Sequence, residues 1–175
     1  MTYYPRILEK TLREAVKQFR VVVLTGARQT GKSTLLRRLF KKTHQYVSLD
    51  DPRQLKFAKE DPEFFFEEYS DPVIIDEIQY APELLKYIKM KVDSRQQRGQ
   101  FIITGTQQFT LMKGLKETLA GRAGLFQLYP MSILEGKKIT QNFEFRGLVG
   151  SFPELISIHK IDPDRWFGSY LSTYI

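Results

Sequence analysis

A chain of 175 residues, 42% hydrophobic and 27% charged, suffices for one domain with its own core and does not have the composition of a disordered or fibrous protein. With no cysteine and two histidines, His44 and His159, it excludes disulfides, thiolate catalysis and cysteine-based or histidine-rich metal sites. Its formal charge of +7 is concentrated in residues 1–50, which hold 11 Lys/Arg against 3 Asp/Glu, a field that attracts nucleotides and nucleic acids alike.

The amino terminus, MTYYPRILEKTLREAV, lacks the apolar run and small-residue cleavage site of a secretory signal. No stretch approaches the roughly 20 apolar residues that cross a bilayer, and the expected location is cytoplasmic. Over residues 6–19, Ile7, Leu8, Leu12, Ala15, Val16 and Phe19 fall near one stripe at helical spacing. Arg20–Thr25 (RVVVLT) is short, β-branched and followed by glycine, which predicts a strand buried on both faces. A Gly-rich turn follows, and Lys32–Lys41 predicts a helix with Leu35, Leu36, Leu39 and Phe40 inward.

The alternation continues. Gln45–Leu49, Val73–Asp76, Gln100–Thr104 and Leu125–Leu128 read as strands. Gln54–Ala58, Pro62–Glu68, Pro82–Val92 and Leu111–Ala120 read as helices. Such a chain predicts an α/β fold: a three-layer, parallel five-stranded sheet with helices on both faces. Ligands of such sheets bind at the carboxyl ends of the strands. Gly147–Ile175, rich in glycine and proline and ending in WFGSYLSTYI, reads as the cut-off start of a further helical or linker region. The expected division is therefore residues 1–146 and 147–175.

Gly26-Ala27-Arg28-Gln29-Thr30-Gly31-Lys32-Ser33 fits G-x-x-x-x-G-K-[ST] in full, between a predicted strand and a predicted helix. In such a loop the two glycines allow close backbone approach, and main-chain N–H groups line a nest for phosphates at the helix start. Lys32 then reaches the β- and γ-phosphates and Ser33 ligates magnesium. Thr34 is the expected α-phosphate contact.

Val73–Asp76 closes in two adjacent acids, Asp76 and Glu77. Alone, such a pair reads as often as a solvated turn. Beside a P-loop, Asp76 is expected to hold magnesium, directly or through water, and Glu77 to act as general base on the attacking water. After Phe101–Ile103, a hydroxyl or amide could sit between γ-phosphate and water. Thr104 and Thr106 are candidates, then Gln107, and a plain Thr-Gly turn is the alternative. An arginine near the γ-phosphate, supplied in cis or from a neighbour, aids transfer. Arg122 is the first candidate and Arg28 the second, a surface or salt-bridging role being the alternative for each.

The strings GARQTGKSTLLRRL, VIIDEIQ, FIITGTQQF and LAGRAGLFQLYPMS, in this order, resemble a family of prokaryotic AAA-type P-loop ATPases close to the archaeal and origin-recognition-like branch. GSFPEL at Gly150–Leu155 and the terminal WFGSYLSTYI add to the resemblance, which spans essentially the whole chain. It implies ATP and Mg2+ as ligands and a nuclease-like carboxy-terminal half beyond this ATPase part. The expected function is Mg-dependent hydrolysis of ATP to ADP and phosphate, coupled to conformational change. The alternative is a nucleic-acid-binding module in which ATP is a switch with little turnover. No N-K-x-D string supports a guanine nucleotide. DNA, a protein client and a second copy of the chain are the partner classes left open.

Overall fold

A computed structural model describes residues 3–106, 114–115, 117–136, 151–158 and 161–174. The first amphipathic stripe forms α1 (Leu8–Gln18), which buries Leu12 and Ala15. It leads into β1 (Val21–Thr25), buried along its whole length. Next come α2 (Lys32–Phe40), β2 (Gln45–Ser48), α3 (Pro52–Glu60), α4 (Pro62–Glu68) and β3 (Val73–Asp76). A 3-10 turn (Ile78–Tyr80), α5 (Leu84–Ser94), β4 (Phe101–Gly105) and β5 (Ala123–Gln127) complete the unit Leu8–Leu128.

Local chemistry explains several boundaries. The Asp51 carboxylate accepts the Arg53 N–H at 2.9 Å, and Pro52 opens α3. The Asp61 carboxylate accepts the Phe64 N–H at 3.0 Å, and Pro62 opens α4. Each aspartate satisfies a donor the helix cannot, and each proline stands where its missing N–H costs nothing.

All five strands run parallel in the order β2-β3-β4-β1-β5. Val21 stands opposite both Phe101 and Ala123, and Val73 opposite both Gln45 and Phe101. The strands therefore start level and end level. Their first residues define one end of the sheet, and Thr25, Ser48, Asp76, Gly105 and Gln127 the other. β1, β3 and β4 lie inside and are buried on both faces, which is why they read as unbroken apolar runs.

Val23, Val47, Ile75 and Ile103 pack on one face with Phe65, Leu84 and Ile88. The alternate residues Val22, Leu24, Ile74 and Ile102 are just as buried, and strand alternation turns them to the opposite face. The expected sheet with helices on both faces is what the chain forms.

β5 begins two residues before the predicted Leu125. It is an edge strand with mixed burial, so its pattern carries little signal. Gly124 is small for a reason: a Cβ there would meet the Phe19 ring at 2.6 Å. The predicted helix Leu111–Ala120 lies partly outside the described residues.

Met1–Ile7 and Tyr129–Ile175 form a second unit. Within it are α6 (Ile133–Gly136), α7 (Pro153–Ser157) and α8 (Pro163–Tyr174). Glu135, 7% exposed, accepts from the Arg6 Nε at 3.1 Å and from the N–H groups of Ile7 at 2.6 Å and Ser132 at 2.7 Å. α8 starts before the predicted Trp166 because Asp162 accepts the Asp164 N–H at 3.0 Å and begins the helix there. Trp166 and Tyr170 stack on this helix, centroids 5.1 Å apart, and Phe152 packs on Trp166 at 4.9 Å.

Candidate active site

The loop Gly26–Gly31 leaves the carboxyl end of β1 and enters α2. Gly26, at φ 153, is required by conformation and by space as well, since a Cβ would meet the Leu128 carbonyl oxygen at 2.3 Å. Gly31 is required by conformation: at φ 92 it is left-handed, with nothing within 4 Å of where a Cβ would stand. Gln29 is also left-handed, at φ 61. Thr30 is fully buried, and its hydroxyl donates to the Ala27 carbonyl at 2.9 Å, tying the loop across itself. No side chain caps the start of α2 and no acid lies in its first turn. Its free N–H groups and its positive end are thus left for an anion.

Lys32 is 5% exposed, and its ammonium donates to the carbonyls of Gly26 and Ala27, each at 3.1 Å. Burial pulls its pKa below the ordinary lysine value, while the charges of Glu77 and Asp76 pull the other way. Lys32 and both acids are thus within electrostatic reach of one another. Ser33 is half-buried in the first turn of α2; Thr34 and Arg28 are exposed.

β4 lies between β1 and β3, so its carboxyl end, with Thr106 directly after it, lies between those of the strands that carry the P-loop and the acids. Asp76, 2% exposed, has both oxygens engaged: the Tyr46 hydroxyl donates to Oδ2 and the Thr104 hydroxyl to Oδ1. Burial, then the Asp76 partner, pushes the Tyr46 phenol up to about 12. The Arg37 guanidinium lies over the Tyr46 ring, 3.9 Å from its centroid. Glu77 adopts φ 59 and ψ 49. For a residue with a Cβ this left-handed state costs about 1–2 kcal/mol. Thr104 Oγ1 accepts the Glu77 N–H at 3.1 Å, and Gln79 Nε2 donates to Glu77 Oε2.

This geometry separates the three candidates after β4. Thr104 is fully buried, and its hydroxyl is used twice, by Asp76 and by Glu77. It holds the acids rather than a phosphate. Thr106 is 4% exposed, and its Oγ1 has no partner among the described residues. Gln107 lies outside the described residues.

Arg122 is a correction. It directly precedes β5, and its carbonyl accepts the Val21 N–H, so it stands at the end of the sheet opposite the P-loop. There it forks onto Asp93, with Nη2 2.9 Å from Oδ2. It does not face the Lys32 loop of its own chain. The basic excess is also spread differently from its place in the sequence. Arg13 and Lys17 line a cavity of about 520 Å³ with His44 and Arg98, again at the amino ends of the strands.

Among the described residues no three His, Cys, Asp or Glu side chains cluster as a metal cage. A hydroxyl and one carboxylate beside a phosphate loop instead fit magnesium, which keeps much of its shell as water and substrate oxygen. The Thr106 hydroxyl, without a partner among the described residues, and the open space at Gly31 leave room for a ligand there. Sequence reasoning missed Tyr46 and Gln79. Tyr46 lies in an edge strand with no motif, and Gln79 had only its place two residues after Glu77 as a signal.

The sheet order and the loop define a P-loop NTPase domain. The family model described as an AAA domain matches residues 18–136, and the chain belongs to that family. The uncharacterised proteins Mb2031c of Mycobacterium bovis and Rv2008c of Mycobacterium tuberculosis are each 30% identical over 166 residues, 94% of this chain. The chain spans only 37% of the length of these curated relatives. Among solved structures, the Walker-type ATPase PABY2304 of Pyrococcus abyssi matches with a TM-score of 0.62 and 19% identity, over 98% of this chain and 72% of that one. A katanin structure matches with a TM-score of 0.53 and 17% identity, over 92% and 60%. At these identities the likeness shows the fold. No helix among the described residues is long and apolar enough to cross a membrane.

Proposed function

We propose that this AAA domain binds ATP with magnesium and hydrolyses it to ADP and phosphate, and that the turnover drives a conformational change. The observation that carries the reading is the meeting of three groups at the carboxyl ends of adjacent strands. These are the buried Lys32 ammonium on its loop, the buried Asp76 with Glu77 beside it, and the Thr106 hydroxyl, which has no partner among the described residues.

The roles follow from the chemistry of each group. The main chain from Gly26 through Gly31, including the N–H groups of Ala27, Arg28, Gln29 and Thr30, wraps the β-phosphate. Lys32 exchanges its two carbonyl acceptors for β- and γ-phosphate oxygens, and Thr34 lies by the α-phosphate. Ser33 Oγ and Asp76 would hold magnesium, which when bound offsets the charge on the β–γ bridge. Glu77 takes a proton from the attacking water, and Thr106 donates to the γ-phosphate or that water. The arginine for the γ-phosphate is then Arg28 or comes from a neighbouring copy, and in the second case self-association is part of the proposal. Membership of the archaeal, origin-recognition-like branch, a nuclease-like second half and a cytoplasmic location rest on sequence alone. Titration with ATP, GTP and CTP in the presence of magnesium, with phosphate release measured alongside, tests the reading. Equal or tighter GTP binding removes the adenine claim.

A second reading, a nucleic-acid module with ATP as a switch, draws on one observation: Arg13, Lys17 and Arg98 line one cavity far from the P-loop. Salt-dependent retardation of labelled DNA, lost on replacing these three cations, is its test.

A further inference from the structure

We infer that Gln79 is a positioning residue for Glu77, a role that rests on the hydrolytic reading above. Glu77 stands in a region of backbone space that a residue with a Cβ keeps only when its surroundings compensate. Two contacts do so. Thr104 holds its N–H at 3.1 Å, and the Gln79 amide holds its carboxylate. The turn Ile78–Tyr80 that carries Gln79 begins at Glu77 itself, with the Tyr80 N–H on the Glu77 carbonyl at 3.2 Å. Main chain and carboxylate are therefore fixed to each other within four residues of sequence.

The direction of the amide is set by chemistry. A carboxylate only accepts, so the nitrogen of Gln79 must face it; the reverse would press two acceptors together. The Gln79 donor takes one lone pair of Glu77 Oε2, so Oε1 is the oxygen with more free acceptor capacity to receive a proton from water. Gln79 thus decides which lone pairs of the base face the reactant. The same orientation leaves Gln79 Oε1 buried without a partner among the described residues. A buried unpaired acceptor is costly, and a side chain placed for stability alone would avoid it.

The test uses the full chain and two kinds of measurement. Gln79→Met keeps length and removes the donor. It is expected to lower kcat by about tenfold or more. Magnesium–ATP affinity and KM should stay within about twofold. Gln79→Asn, which keeps the amide, should recover part of the rate. Unchanged kcat in Gln79→Met, or a parallel loss of nucleotide affinity, overturns the role. Separately, the side-chain amide of Gln79 is followed by 15N–1H spectroscopy without nucleotide. Glu77→Ala should shift its hydrogens upfield and speed their exchange; an unmoved signal overturns the contact. If the signal moves while the unsubstituted chain shows no turnover, Gln79 still holds Glu77, and it is the hydrolytic reading that fails.

Discussion

The Thr104 hydroxyl accepts the N–H of Glu77 at 3.1 Å while giving its own hydrogen to Asp76. One buried side chain on β4 therefore sets both acids of β3: the carboxylate orientation of the first and the backbone of the second. The relationship depends on strand order, since β4 and β3 must be neighbours for it to form. Thr104→Val preserves shape and removes both hydrogen bonds. Loss of the donor to buried Asp76 and of the acceptor for the half-buried Glu77 N–H should cost about 1–3 kcal/mol of stability. It should also lower turnover by about tenfold or more through the displaced base. Thr104→Ser should restore both. Thermal melts and phosphate release read the two effects.

Both P-loop glycines have positive φ but only Gly26 also lacks room for a Cβ, and their alanine variants should differ accordingly. Gly26→Ala places a methyl group 2.3 Å from the Leu128 carbonyl oxygen, so the loop or the end of β5 must move. Nucleotide affinity should be lost. Gly31→Ala meets nothing within 4 Å and bears only the left-handed backbone penalty, about 1–2 kcal/mol. Its melting point should fall while weakened nucleotide binding remains measurable. Isothermal titration of both variants, with melts in parallel, checks the contrast.

Arg122 should matter for stability and not for the chemistry of its own subunit. Its fork onto Asp93 lies at the far end of the sheet, where the pairing pulls the Asp93 carboxyl below its usual range. Arg122→Ala should leave magnesium–ATP affinity unchanged, and the rate of the monomeric chain with it. A drop in single-subunit turnover with intact affinity would contradict this placement.

How far the sequence could be read depended on where information sits in the chain. The inner strands announced themselves because burial on both faces demands apolar residues throughout. The P-loop and the Asp76–Glu77 pair were legible because backbone geometry and charge force residue types at fixed spacing. Arg122 was misplaced because a motif's position along the chain does not reveal at which end of a strand it will lie. That requires register, and register is a tertiary fact. Thr104 was seen as polar at a strand end. Its partners could not be seen, since they come from a neighbouring strand. Tyr46 reaches Asp76 from an edge strand whose short mixed pattern carries no sign of it.

In the second unit, Glu135 ties acid stability to one carboxylate. Burial alone would push its pKa up, but the N–H groups of Ser132 and Ile7 and the Arg6 guanidinium outweigh this and hold it below the ordinary 4.5. A carboxyl lowered on folding stabilises fully above its unfolded value and loses that contribution as pH falls through its folded value. Glu135→Gln removes the negative charge facing the buried Arg6 guanidinium, which keeps its bond to the Tyr129 carbonyl at 2.7 Å, at a cost of about 1–3 kcal/mol at neutral pH. The gap between the original and Glu135→Gln proteins should hold near pH 7 and close as pH falls below 4.5. Urea unfolding across pH 3 to 7 measures it; a gap that stays constant over that range contradicts the assignment.

The most direct test is calorimetric titration of magnesium–ATP into the folded chain and into Lys32→Ala, with circular dichroism confirming the fold of each. The account predicts saturable one-site binding to the unsubstituted protein and its loss when the buried ammonium is removed. A well-folded original chain that takes up no heat of binding, or a Lys32→Ala chain that binds as tightly, would contradict it.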